Sequence, residues 1–142
     1  MKLFLDTSVL LAAAGSGTGA SRAVFSMRDA HHWDLVTSLY CVEETHRNLA
    51  KLPHRATEEW RDGLHPLLTI VRETLVCDRP LVFTRAKDKP VLLSALAEQC
   101  DVLLTLDRRD FAEVLDTRVY GLWVRTPAAF LTHERANGRL TL

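Results

Sequence analysis

The chain has 142 residues, of which 47% are hydrophobic and 25% charged, as in an ordinary globular domain. Its 18 basic and 18 acidic residues cancel, which excludes a broad electrostatic grip on nucleic acid but allows a local one. Three scattered cysteines argue against a structural zinc site, and no stretch approaches the roughly 18 apolar residues of a membrane span. We therefore expect one cytoplasmic domain over 1–142, with a core over about 1–131 and a short polar tail over 132–142.

The first half of the chain alternates predicted strands and helices. Apolar residues predict a short buried strand over 2–5, and a helix or turn follows over 8–14. The glycine-rich loop over 15–19 has no lysine in phosphate-loop register, so we interpret it as a plain connection. The later elements of this half are a helix over 20–32, a strand over 34–38, a helix over 39–52 and a helix over 57–68.

Residues 69–87 define no clear element, because they begin with β-branched residues typical of a strand and then reach Pro80. After them the pattern of apolar residues is clearer. Pro90 lies in the first turn of a predicted helix that ends at residue 99, and the apolar run over 101–106 is typical of a buried parallel strand. Alternating strands and helices predict an α/β fold with a mainly parallel sheet. The last predicted elements are a short helix over 109–115, a strand over 119–124 and a helix opened by Thr126-Pro127.

Acidic side chains converge on one edge of the predicted sheet. Ligands of parallel α/β sheets bind at the carboxyl ends of the strands, and Asp6 and Asp107 each directly follow a predicted strand. Helix capping or solvation explains most of the acids singly, but capping does not explain Glu44, which lies inside a helix. The acids expected at this edge are Asp6, Glu44, Asp88, Asp107 and Asp110.

Crowded carboxylates require a compensating charge. Two carboxylates about 4 Å apart repel by roughly 4 kcal/mol at an effective dielectric constant near 20. A hard divalent cation reverses this repulsion, and Mg²⁺ or Mn²⁺ prefers oxygen ligands in octahedral geometry. An acidic cluster without histidine or cysteine ligands therefore predicts Mg²⁺ (or Mn²⁺). The chemistry that most often uses such a site is metal-assisted phosphoryl transfer or phosphodiester hydrolysis.

Four segments carry a resemblance to a known family. They are FLDTSVLL at 4–11, TSLYCVEETHRNL at 37–49, DKPVLLSALAEQCDVLLTLDRRDF at 88–111 and GLWVRTPAAFL at 121–131. In this order they resemble the PIN-domain nucleases, many of which are VapC-like toxins, ribonucleases held in check by a partner antitoxin. The resemblance spans residues 3–131 and implies a three-layer α/β/α sandwich with a mainly parallel central sheet.

The resemblance implies a role for each acid. Three acids match the metal-binding acids of the family, and these are Asp6, Asp88 and Asp107. Glu44 matches the second catalytic acid because it lies six residues after the strand-end Ser38, and neighbouring Glu43 is the alternative. Asp110 matches an accessory metal-binding acid that some members have.

Small and basic residues complete the implied site. The small hydroxyls that the family places facing the site match Thr7, Ser8 and Thr105. Arg108 and Arg109 flank the acids, where they either contact RNA phosphates or form a solvated first helical turn. Leu106 stands where many members have a small residue, and we expect it to narrow the floor of the pocket without removing an acid.

The implied activity is that of a Mg²⁺- or Mn²⁺-dependent endoribonuclease, the toxin of a type II toxin–antitoxin pair. On this interpretation the cation lowers the pKa of a water that attacks phosphorus in line with the leaving 3′-oxygen, and Glu44 orients or deprotonates that water. The resemblance also implies a cognate antitoxin and a homodimer. One alternative is a non-catalytic module that binds RNA or a partner protein. The other is an aspartyl-phosphate phosphatase, which requires an acid at the position of Ser8.

Overall fold

Six α-helices and six strands form the part of the chain that the computed structural model describes, residues 1–81 and 89–140. The strands are β1 (Lys2–Leu5), β2 (Asp34–Ser38), β3 (Thr69–Val71), β4 (Val102–Leu104), β5 (Arg118–Val119) and β6 (Leu122–Arg125). The helices are α1 (Thr7–Gly15), α2 (Ala20–His31), α3 (Leu39–Asn48), α4 (Arg55–Glu58), α5 (Lys89–Ala97) and α6 (Pro127–Ala136).

The six strands form one sheet in the order β3-β2-β1-β4-β6-β5. Every neighbouring pair is parallel except β5 and β6, which are antiparallel. Helix α1 packs against α2 and α3, α2 packs against α6, and α5 packs against β4. The predicted α/β/α sandwich with a mainly parallel central sheet is therefore confirmed. Within the described ranges, the structure has no helix with the length and apolar character needed to cross a bilayer.

The centre of the sheet is buried, which explains why β1 and β4 are almost continuously apolar. Leu3, Phe4 and Leu5 of β1 are fully buried, as are Leu103 and Leu104 of β4. Strands of a parallel sheet covered by helices on its faces have this pattern, since neither side of the strand meets water. Burial of each such side chain stabilises the fold by about 1.5–3 kcal/mol. The two central strands, whose ends carry Asp6 and Asp107, are therefore firmly held in the core.

The helical segment after Pro53 begins at Arg55, two residues earlier than the predicted helix over 57–68. Its hydrogen-bonding pattern is not α-helical throughout. Helix α4 continues into a π-helical turn over Glu59–Leu64 and a 3₁₀ turn over His65–Leu67. Trp60 and Leu64, at four-residue spacing in this segment, are buried in the core.

The helix predicted over 109–115 is wrong. Residues 108–116 form consecutive turns, in which Leu115 N–H donates to the Phe111 carbonyl but Thr117 N–H donates to the Val114 carbonyl. Asp116 has a positive φ of 61° and its N–H donates to the Val124 carbonyl. This hydrogen bond to β6 and the positive φ of Asp116 end the helical turns before a regular helix forms.

The single strand predicted over 119–124 is also wrong, because the chain reverses at Tyr120 and Gly121. These residues have φ angles of 48° and 89° and connect β5 to the antiparallel β6. Two positive φ values in a two-residue loop are typical of a type I′ hairpin, which favours glycine. Gly121 was the signal in the sequence for this turn. It was missed because the apolar residues on both sides of it suggest one continuous strand.

Candidate active site at the ends of β1 and β4

The order of the strands creates a crevice between β1 and β4. After β1 the chain builds β2 and β3 on one side and then returns to place β4 on the other side of β1. Such a reversal is where open α/β sheets bind ligands, at the carboxyl ends of the strands. Leu5 pairs with Leu104, and Asp6 N–H donates a 3.0 Å hydrogen bond to the Leu104 carbonyl. The residues that follow the two strands therefore lie side by side.

A hydroxyl network joins the two strand ends. Oδ2 of Asp6 accepts hydrogen bonds from the Thr105 hydroxyl at 2.8 Å and from the Ser8 hydroxyl at 3.0 Å. The Ser8 hydroxyl oxygen in turn accepts from Leu106 N–H at 3.0 Å. The Thr105 hydroxyl oxygen accepts from Asp107 N–H, also at 3.0 Å. Two residues predicted to face the site, Ser8 and Thr105, thus hold the carboxylate of Asp6 and the backbone that leads to Asp107.

The Asp6 carboxyl group is buried at an electrostatic cost. The residue is only 6% exposed, and this burial raises the pKa of Asp6 because it removes the charged form from water. The hydrogen bonds from Thr105 and Ser8 oppose that effect on the pKa, whereas the negative charge of Glu44 adds to it. Asp6 precedes α1, but its side chain makes no capping hydrogen bond to that helix. Helix capping therefore does not explain why a carboxylate occupies this position.

A cavity of about 210 Å³ opens at these strand ends. Three carboxylates line it, and none of the described residues that line it is basic. Thr7 contributes a buried hydroxyl oxygen for which the described ranges provide no hydrogen-bond partner. A buried hydroxyl without a partner is unusual in a folded protein and is compatible with a ligand or water in the cavity. The lining residues are Asp6, Thr7, Ser8, Leu11, Glu44, Asn48 and Asp107.

Helix α3 supplies one wall of this cavity. Glu44 is half-buried and lines the cavity, whereas Glu43 is exposed and does not. The Tyr40 hydroxyl donates to Oε2 of Glu44 at 3.3 Å, and Nδ2 of Asn48 donates to the Glu44 carbonyl at 2.8 Å. Residues four apart share one face of a helix. That spacing was the signal for Tyr40 and Asn48, which sequence reasoning missed.

The segment after β4 brings some predicted residues to the cavity and leaves others outside it. Asp107 is half-buried, lines the cavity and accepts a 2.8 Å hydrogen bond from Asp110 N–H at Oδ1. Asp110 is half-buried but does not line the cavity. Arg108 and Arg109, between Asp107 and Asp110 in the chain, are exposed and do not line it either. Leu106 is 41% exposed and does not form the cavity floor, contrary to expectation.

Two of the three predicted metal-binding acids, Asp6 and Asp107, lie at this cavity. Asp88, the third predicted metal-binding acid, lies outside the described residues. Over 1–81 and 89–140, no three histidine, cysteine, aspartate or glutamate side chains are grouped closely enough to hold a metal ion. The described acids thus share a cavity without forming a complete set of ligands.

Comparison with known proteins identifies the family. The sequence model of the PIN domain matches residues 2–109, which is more than half of the chain. The chain therefore belongs to the PIN-domain family, as the four sequence segments indicated, and members of this family are generally nucleases. No curated protein sequence matches the chain significantly.

A solved structure has a similar fold. It is the crystal structure of VapBC2 from Rickettsia felis bound to a DNA fragment from their promoter. The match has a TM-score of 0.61 at 14% sequence identity, and it covers 89% of this chain and 98% of the matched chain. At this identity the similarity concerns the fold.

Proposed function

We propose that the chain is a Mg²⁺- or Mn²⁺-dependent endoribonuclease and the toxin of a type II toxin–antitoxin pair. The observation that carries this proposal is the cavity that Asp6, Glu44 and Asp107 line together, where β1 and β4 end beside the middle of α3. Membership of the PIN-domain family supports the nuclease activity. The similarity in fold to a VapBC structure supports the toxin–antitoxin setting and, with it, a cognate antitoxin. The homodimer is proposed from the family resemblance alone.

The donor atoms of the cavity fit a hard divalent cation. They are carboxylate and hydroxyl oxygens, including the unpartnered hydroxyl of Thr7, and such oxygens are the ligands that Mg²⁺ and Mn²⁺ prefer. Asp6 and Asp107 would hold the cation together with Asp88, and Asp110 would act as an accessory acid. Because Mg²⁺ usually keeps several waters, the described acids need not bind it through three direct contacts.

Each residue has a distinct part in the proposed hydrolysis. When bound, the cation offsets charge on the phosphoryl oxygens and lowers the pKa of the attacking water. Glu44 orients that water and accepts its proton, while the Tyr40 hydroxyl fixes one oxygen of the Glu44 carboxylate. Oxygen attacks phosphorus, the bond to the 3′-oxygen breaks, and the leaving oxygen takes a proton from solvent. Arg108 and Arg109, exposed beside the cavity, contact the neighbouring phosphates.

Cleavage of single-stranded RNA by four matched proteins tests this function. With Mg²⁺ or Mn²⁺ the wild type cleaves RNA, and chelation of the metal abolishes cleavage. Asp6→Asn and Glu44→Gln lower kcat at least 100-fold, whereas Glu43→Gln, an equal change one residue away on the exposed side of α3, retains wild-type activity. Full activity of Asp6→Asn would contradict the proposed site, and RNA binding without cleavage by the wild type would favour the non-catalytic alternative.

A further inference from the structure

A second cavity of about 370 Å³ lies near the N-terminus of α3. The described residues that line it are Tyr40, Glu73, Leu75 and Pro90. Leu75 is 71% exposed, so this apolar side of the cavity is open to solvent. An aromatic ring, an apolar wall and one acceptor group are the components of a pocket for a nucleobase.

Tyr40 connects this cavity to the acidic one. Its hydroxyl donates to Glu44 in the acidic cavity, and its backbone N–H donates to the Glu73 side chain in the second cavity. The two cavities have no described lining residue in common, but the hydrogen bonds of Tyr40 connect them along α3. Tyr40, Glu44 and Asn48 follow one another at four-residue spacing, and each step rises about 6 Å along a helix. This rise is comparable with the length of one nucleotide in an extended strand.

A basic group lies at the other end of the same face. Asn48 lines the acidic cavity, and its Oδ1 accepts a 2.9 Å hydrogen bond from the Lys51 ammonium group. Lys51 is exposed and follows Asn48 by three residues, so its charge lies beside the acids. Lysine and arginine at such positions bind phosphates of nucleic acids. Helix α3 and the 3₁₀ turn Leu49–Lys51 after it thus carry, in order, a tyrosine, a glutamate, an asparagine and a lysine.

We propose that a single strand of RNA lies along this face of α3, with the base next to the cleaved phosphate in the cavity of Tyr40, Glu73, Leu75 and Pro90. The inference rests on the proposed nuclease function and adds a base preference to it. The base stacks on Tyr40, and the Glu73 carboxylate accepts a hydrogen bond from an exocyclic amino group. Adenine, cytosine and guanine offer that amino group. Uracil offers an N–H between two carbonyl oxygens, which the carboxylate repels.

Cleavage of twelve-nucleotide RNAs made only of A, C or U tests the inference. The wild type has a kcat/KM at least tenfold higher for the A and C strands than for the U strand. Relative to Tyr40→Phe, which also lacks the hydroxyl that fixes Glu44, Tyr40→Leu lowers kcat/KM for A and C about tenfold, mainly through KM, because stacking is lost. Tyr40→Phe keeps the ring and the base preference. Glu73→Gln reduces the preference for A and C over U.

Matched substitutions outside the cavity control for general effects. Tyr120→Leu changes the other tyrosine of the chain, and Glu43→Gln changes an exposed glutamate of α3, and neither alters the base preference. Circular dichroism establishes whether Tyr40→Leu folds. If it does not fold, Tyr40→Phe and Glu73→Gln decide the question, because a Glu73→Gln protein with the wild-type preference overturns the inference.

Two failures are distinguishable. Equal cleavage of the A, C and U strands by the wild type, abolished by Asp6→Asn, means that the base cavity is wrong and the nuclease function stands. No cleavage of any strand by the wild type means that the proposed function fails, and the base cavity fails with it.

Discussion

Thr105 donates a 2.8 Å hydrogen bond to Asp6, a residue 99 positions earlier in the chain. The same hydroxyl oxygen accepts a hydrogen bond from Asp107 N–H, and Thr105 is fully buried. One side chain at the end of β4 therefore positions both aspartates of the acidic cavity. A buried hydroxyl in this position stabilises the strand ends and holds the acids in place.

Replacing Thr105 with valine keeps the shape of the side chain but removes both hydrogen bonds. We expect the free energy of unfolding to fall by about 1–3 kcal/mol, because the groups that it paired remain buried without it. Thr105→Ser keeps the hydroxyl and retains most of that stability. Urea unfolding followed by circular dichroism measures the difference. A Thr105→Val protein as stable as the wild type would show that the network does not hold the strand ends together.

Asp6→Asn separates the effect of charge on stability from its effect on metal binding. Without metal the variant is at least as stable as the wild type, since burial disfavours the charged carboxylate and the asparagine oxygen still accepts from Thr105 and Ser8. With Mg²⁺ at 100 times its Kd, the wild type gains about 2.7 kcal/mol and its Tm rises, while the variant gains nothing. Thermal unfolding with and without Mg²⁺ measures both effects. A wild-type Tm that ignores both Mg²⁺ and Mn²⁺ would count against the metal site.

Glu134 makes the stability of the C-terminal helix dependent on pH. It is 3% exposed, and Arg139 donates to its two oxygens at 2.8 and 2.9 Å, which lowers the pKa of Glu134. Because glutamate titrates near pH 4.3 when unfolded, this stabilisation is complete above about pH 4.3 and is lost as the pH falls through the lower folded pKa.

The expected result is a steeper loss of wild-type stability below about pH 4.3 than in Glu134→Gln, by roughly 1 kcal/mol. Urea unfolding between pH 3 and pH 7 provides the comparison. Parallel pH curves for the two proteins would show that the ion pair is not formed in solution.

Two glycines with open surroundings test the hairpin between β5 and β6. No atom lies within 4 Å of a Cβ placed at Gly121 or at Gly63, but only Gly121 has a positive φ, of 89°. Gly121→Ala therefore lowers the free energy of unfolding by about 1 kcal/mol or more through backbone strain alone. Gly63→Ala, in the π-helical turn, leaves it unchanged or raises it by about 0.5–1 kcal/mol. Thermal unfolding of both variants checks the prediction, and equal destabilisation would contradict it.

The parts of the fold that follow from local patterning were predictable. The bounds of β1 and β2 match the expected 2–5 and 34–38, because buried apolar runs end there at Asp6 and at the helix-capping Ser38. The hairpin and the turns over 108–116 were not predictable in the same way. They depend on pairing between β5 and β6 and on the hydrogen bond from Asp116 N–H to the Val124 carbonyl, neither of which a local pattern reveals.

Some residues of the candidate site were likewise predictable from the sequence, and others were not. Asp6 and Asp107 follow buried strands, so their common position was predictable from strand order. Tyr40 and Asn48 were missed despite their four-residue spacing from Glu44, because polar residues four before and four after a glutamate look like an ordinary solvated helix face. Their inward direction results from the packing of α3 beside α1, which brings that face to the cavity.

The position of β1 between β2 and β4 has a consequence for synthesis on the ribosome. A nascent chain that has emerged only as far as β3 contains Asp6 and Glu44, but one side of β1 still lacks its neighbour. Asp107 and the hydroxyl of Thr105 arrive only when β4 inserts beside β1. A nascent chain that ends before Asp107 is thus unable to assemble the acidic centre, whose last described members are translated long after Asp6 and Glu44.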